Sequence, residues 1–157
     1  MLLPFFQYLE TVWLGRFIVD SNWLFPVIES VHLLALSLLG GSILIVDMRL
    51  LGLGFTGRDV KEIAREARPF MNFALAMMIA TGVPLFLSEP IKCYYSPAFW
   101  VKMWTLAAAL IYTYTIRTKT TRMEVVRNTA RLQMLVGALS IALWFTVASA
   151  GRWIGFS

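Results

Sequence analysis

Four long apolar runs, joined by short charged or polar connections, dominate this chain. They lie at about 23–51, 70–87, 97–116 and 132–156. Each is close to or above the ~20 residues an α-helix needs to cross ~30 Å of hydrocarbon. Lipid is therefore the main solvent. The composition agrees, with 59% hydrophobic residues against roughly 45–50% in a soluble domain. The expected fold is all-α, a polytopic membrane four-helix bundle forming a single domain over residues 1–157.

An amphipathic interfacial helix is expected ahead of the bundle, over about 2–19. Leu2, Phe5, Phe6, Leu9, Trp13 and Phe17 recur at helical spacing, and Gln7, Glu10, Thr11 and Arg16 interrupt the other positions. Such a helix lies in the membrane plane with its aromatic side down. Asp20, Ser21 and Asn22 offer caps to the first span, and Pro26 suits its first turn. A cleaved signal peptide is not expected, because there is no basic leader and no small-residue cleavage site. Pro69 is read as the break before the second span, which begins at about Phe70 and is preceded by a short amphipathic loop helix. Gly82 and Pro84 predict a kink near that span's outer end.

The connections orient the bundle. Arg58, Lys61, Arg65 and Arg68 lie in the first, and Arg117, Lys119, Arg122, Arg127 and Arg131 in the third, whereas Lys92 is the lone basic residue of the second. The positive-inside rule places loops 53–69 and 117–131 in the cytoplasm and both termini outside, in the periplasm of a bacterial inner membrane. Trp23, Trp100, Trp104 and Trp153 fall near the outer interface. The net charge of +5 is explained by these loops, so no nucleic-acid partner is expected. The single cysteine, Cys93, excludes an intrachain disulfide and a cysteine-rich metal site.

Charged and imidazole side chains are costly in a bilayer, so their placement carries information. Glu29, His32, Leu36, Gly40, Ile43 and Asp47 form one stripe on the first span, with the only histidine between two carboxylates. Gly40 and Gly41 allow close approach by a helix or a flat ligand. Lys102, Thr105, Ala109, Tyr112 and Thr113 share a face of the third span, where Lys102 can snorkel outward or pair with Glu29. Gly137, Ser140, Trp144, Ala148 and Gly151 share a small-residue face of the fourth. The outer half of the bundle thus gathers Glu29, His32, Lys102, Trp144 and Arg152, and the inner half has Asp47, Arg49 and Asn72. Each has a plainer reading. His32 serves equally as a donor that fixes helix packing, and Lys102 and Arg152 as interfacial anchors. Asp47 and Arg49 project from nearly opposite faces, which argues against a pair between them. The E-x-x-H spacing of Glu29 and His32 is half of a di-iron bundle motif, without the other inward glutamates.

The stretches W-L-F-P-V-I-E-S-V-H at 23–32, V-D-M-R-L-L-G at 46–52, T-G-V-P-L-F-L at 81–87, S-P-A-F-W-V-K at 96–102 and W-F-T-V-A-S-A-G-R at 144–152 resemble an uncharacterised family of small bacterial four-span membrane proteins. That family is distantly similar to copper-resistance D-type membrane domains. The resemblance implies that Glu29, His32, Asp47, Arg49, Lys102, Trp144 and Arg152 belong to the family pattern, and it implies no activity.

The leading functional expectation is a haem b-binding subunit in electron transfer. His32 would ligate the iron, Lys102 and Arg152 would meet the propionates, and Gly40 and Trp144 would line the porphyrin. The second axial position would be taken by a methionine, left open, or filled by His32 of a second protomer, and a homo-oligomer or a place in a larger membrane complex is expected. The first alternative is a structural or accessory subunit of a larger membrane complex, without cofactor. The second is copper or proton transport along Glu29, His32 and Asp47, with Met77, Met78 and Met103 as soft ligands. An enzyme acting alone is not expected, because no nucleophile–base pair or phosphate loop is present.

Overall fold

The computed structural model describes residues 3–55, 57–123 and 127–155, without the side chains of 127–129. The described residues are helical or in short turns. The helices are α1 (Leu3–Glu10), α2 (Trp13–Asp20), α3 (Leu24–Leu50), α4 (Val60–Ser88), α5 (Pro90–Tyr95), α6 (Pro97–Tyr112), α7 (Thr118–Thr120) and α8 (Arg127–Ile154). A π-helical turn, Thr113–Arg117, joins α6 to α7. Leu2 and Phe156, the expected ends of the first and last segments, and residues 124–126 of the third connection lie outside the described residues.

Among the described residues, three helices are long and apolar enough to cross a membrane: Leu24–Leu50, Val60–Ser88 and Ala130–Ile154. The remaining run, the third in chain order, is α6, 16 residues long, which the π turn and α7 prolong without a break to Thr120. Large apolar side chains face outward along all four runs, including Leu34 at 72% exposure and Phe145 at 71%. An outward surface of this kind suits hydrocarbon rather than water.

The expected helix over 2–19 is instead two helices, broken at Thr11 and Val12. The Thr11 hydroxyl donates to Tyr8 O at 2.7 Å and closes α1, and Arg16 Nε reaches back to Glu10 O at 3.4 Å. The break lets each half dock separately. Phe6 is buried against Phe86, Tyr94 and Trp100. Gly15 lies so close to the Leu87 carbonyl that a Cβ there would collide with it. Phe5, Trp13 and Phe17 stay exposed on the other side.

Pro69 makes no break before the second span. It lies inside α4, which runs unbroken from Val60 through the expected loop helix and past Pro84. Asp59 caps it, its carboxylate accepting from Lys61 N at 3.3 Å. At Pro69 and Pro84 the carbonyl four residues back loses its usual donor, a cost that packing outweighs. Ser88 Oγ donates to the Pro84 carbonyl at 2.9 Å. The residue before α3 is Trp23, which makes no side-chain cap, so Asp20, Ser21 and Asn22 do not play the expected part.

α3 is the hub. It packs on α4 and α8, and α6 packs on α8. Two apolar clusters fill the interior. Leu39, Ile43, Met71 and Ala74 form one, with Met78 and Trp144 against it. Val46, Leu50, Val60, Ile63, Tyr112 and Val136 form the other, nearer the basic connections. Outside it, Arg58 grips Glu66 through two hydrogen bonds of 2.6 and 3.0 Å, and Arg49 Nε donates to Arg58 O at 2.8 Å. These bonds tie the α3–α4 connection to α4, and the Arg58 guanidinium holds the Glu66 carboxyl below its usual range.

Candidate functional site

The polar stripe of α3 is split by the fold. The buried arc of this helix is centred on Leu39, Val46 and Leu50. His32, Ile43 and Asp47 fall within or beside that arc, whereas Glu29 and Gly40 sit at its outer margin and are exposed. Gly41 is also exposed, and neither glycine has a neighbour within 4 Å of its Cβ position. The glycine that makes room for the imidazole is Gly82 of α4, where a Cβ would lie 3.3 Å from His32 Cε1.

His32 is held by a chain of hydrogen bonds. The Thr81 hydroxyl donates to Met77 O at 2.6 Å, so toward His32 Nδ1, 2.8 Å away, it acts as acceptor. The imidazole hydrogen therefore sits on Nδ1, and Nε2 makes no hydrogen bond among the described residues. Lys102 lies near enough to couple electrostatically with His32. Its Cε and Nζ pass 3.5 Å from the Cβ position of Gly151 on α8. No ion pair joins Lys102 to Glu29, which faces out of the bundle.

The other expected contributors are engaged elsewhere. Trp144 Nε1 donates to Thr113 Oγ1 at 3.1 Å, and its ring packs on the Leu39 cluster. Arg152 is exposed. Asn72 is exposed too, accepting from Tyr114 OH at 2.8 Å across the surface between α4 and the π turn. His32, Lys102 and the α8 face at Gly151 therefore come together. Gly40, Glu29 and Asn72 do not join them, and no single porphyrin cradle forms from the expected set.

The most heavily buried charge lies deeper. Asp47 has 0% exposure, and Arg117 Nε donates to its Oδ1 at 2.7 Å. Arg117 Nη2 also donates to Ile43 O at 3.1 Å. The sequence places Arg117 in the third connection and offers Asp47 no partner. The π turn is what brings the pair together. Ala109, Tyr112 and Thr113 face inward, and a regular helix would centre Ile116, seven residues after Ala109, on that face and leave Arg117 at its margin. The wide turn instead leaves Ile116 50% exposed and carries Arg117 into the bundle. Thr118 Oγ1 donates to the Thr113 carbonyl at 2.8 Å, supporting the distorted backbone. The sequence signal was available: Arg117 is the first charge after an apolar run of helical length.

Around the ion pair α8 approaches closely. A Cβ at Gly137 would lie 3.0 Å from Leu50 Cβ and 3.1 Å from Asp47 O, tight enough that α3 would have to give way by a few tenths of an ångström. Ser140 lies beside the Asp47 carboxylate. Asp47 Oδ2, Ser140 Oγ and Gln133 Nε2 are buried without hydrogen-bond partners among the described residues. Tyr112 OH donates to Val136 O at 2.9 Å and fastens α6 to α8.

The Leu39 cluster occupies the interior of the helix layer between His32 and Asp47. Among the described residues there is no group of three or more His, Cys, Asp or Glu placed to hold a metal. Cys93 is buried in α5, and burial, aided by the Glu89 carboxylate, pushes its thiol up to about 11.

No curated protein and no solved structure matches this chain. One family model matches almost all of it, over residues 5–157. With its stapled helices and its single imidazole, the chain belongs to DUF6644, a family of unknown function.

Proposed function

We propose that the chain is a structural subunit of an assembly in a bacterial plasma membrane, with loops 53–69 and 117–131 cytoplasmic and both termini outside. The observation that carries this reading is where the polar side chains go. His32 holds Thr81, Asp47 holds Arg117, Trp144 holds Thr113 and Tyr112 holds Val136 O, and each bond joins two segments of this chain. Such bonds stabilise and position membrane helices at ~0.6–2 kcal/mol each. The outward margin of α3, with Gly40 and Gly41 open, suits a lateral partner in the bilayer.

Purification of the tagged chain from its native membrane in mild detergent tests this. A stable assembly, with itself or with another subunit, is expected, unchanged by His32→Gln. Recovery of a folded monomer alone from cross-linked membranes contradicts it.

A haem b-binding electron-transfer subunit is the second reading, favoured by the unengaged Nε2 of His32. Its Nδ1–H is already oriented by Thr81, as in a ligating histidine. A Soret band in the purified protein, or one gained on haemin titration and lost in His32→Gln, supports it. Copper or proton transport has less support, because the Leu39 cluster separates His32 from Asp47.

A further inference from the structure

α4 packs on α3, and α6 packs on α8, which leaves a crevice between α4 and the end of α6. At the basic end this crevice narrows to a cavity of about 20 Å³, room for one water or one oxygen of an anion. Ser42 of α3 lies in its lining, α4 contributes Arg68, and the segment after α6 contributes Arg117, Thr118 and Thr121.

Its donors are unusual. Arg117 is 5% exposed, with Nε bound to Asp47 and Nη2 to Ile43 O. Its third nitrogen, Nη1, makes no hydrogen bond to a described residue. Arg68 is exposed and makes no ion pair among the described residues. The hydroxyls of Ser42, Thr118 and Thr121 all donate to backbone carbonyls. The nearby Glu66 is bound to Arg58. The cavity therefore offers guanidinium hydrogens that no described residue accepts. Beside this crevice the exposed Tyr114 of the π turn bridges to the exposed Asn72 of α4, and the outward surface of the bundle around it is apolar.

We propose that this crevice binds the phosphate of an anionic lipid headgroup. One phosphate oxygen enters the cavity toward Arg117 Nη1, Arg68 covers the outer oxygens, and the acyl chains lie along the exposed aromatic and aliphatic side chains. Basic pockets between helices at a cytoplasmic interface suit anionic headgroups in this way. A free phosphate would share the guanidinium contacts but not the apolar flanks. The site goes beyond the scaffold reading and does not depend on it.

The test is native mass spectrometry of the full-length protein in detergent, titrated with phosphatidylglycerol, phosphatidylcholine or inorganic phosphate. One tightly bound phosphatidylglycerol is expected, displaced by neither of the others. Arg68→Gln should weaken it about five-fold, as loss of one juxtamembrane charge predicts. Ala67→Leu, which narrows the cavity and keeps every charge, should weaken it as well. Arg65→Gln, outside the cavity, should leave affinity within about two-fold. Equal losses from Arg65→Gln and Arg68→Gln would show diffuse attraction and overturn the site. Competition by inorganic phosphate at the lipid's own concentration, or equal binding of phosphatidylcholine, would overturn the lipid assignment.

Discussion

Arg117 Nε meets Asp47 Oδ1 at 2.7 Å inside the bundle, although the two residues are 70 positions apart in the chain. Both are almost completely buried. Desolvating two charges is costly, so the pair holds because each partner compensates the other. Removing either alone, as in Asp47→Leu or Arg117→Leu, is expected to cost about 3–5 kcal/mol. The double replacement should cost clearly less than the two singles together. Denaturant titration in micelles measures the cycle, and additive losses would show that the pair does not couple.

The hydrogen bond from His32 to Thr81 is a smaller staple. His32→Leu and Thr81→Val should each destabilise modestly, with a coupling of ~0.6–1.7 kcal/mol between them. His32→Gln should retain most of the stability. Zero coupling in the double-mutant cycle would remove the assigned bond.

Gly15 decides how α2 docks. Because a Cβ would collide with the Leu87 carbonyl, Gly15→Ala should push α2 away from α4 at a cost of about 1–3 kcal/mol. Faster proteolysis between residues 10 and 22, with the four apolar helices intact, is the expected signature. Unchanged proteolysis would mean that α2 does not dock there.

Cys93 should react slowly. Its thiol is buried and pushed up to about 11, so near pH 7 only a minute thiolate fraction is available to maleimide. Unfolding in dodecyl sulfate should restore labelling to the rate of a free thiol. Rapid labelling of the folded protein would place the α5 packing in error.

The grip of Arg58 on Glu66 gives one acid-sensitive element. The folded Glu66 lies below its ordinary value of 4.5, so its contribution is present above that value and lost as pH falls through the lowered folded value. Hydrogen exchange in residues 51–60 is expected to rise in that acidic window, and in Glu66→Gln at neutral pH. Exchange indifferent to both changes would detach the connection from this ion pair.

Apolar run length and the distribution of basic residues, read from the chain alone, determined that it is all-helical and built for a bilayer, because the length of hydrocarbon to be crossed is written directly in one dimension. The inward faces of the third and fourth runs followed from residue spacing: Ala109, Tyr112 and Thr113 in the one and Gly137 and Ser140 in the other are buried. Three other features needed the tertiary structure. Pro69 lies within a continuous helix, because contacts across the bundle offset a missing backbone bond that local rules treat as a stop. Gly40 and Glu29 fall outside the buried arc of α3, because that arc is set by where α4 and α8 pack rather than by the helix's own period. Arg117 turns inward through one wide turn, because a buried carboxylate must find a counter-charge, and periodicity cannot anticipate a register shift imposed by a partner 70 residues away.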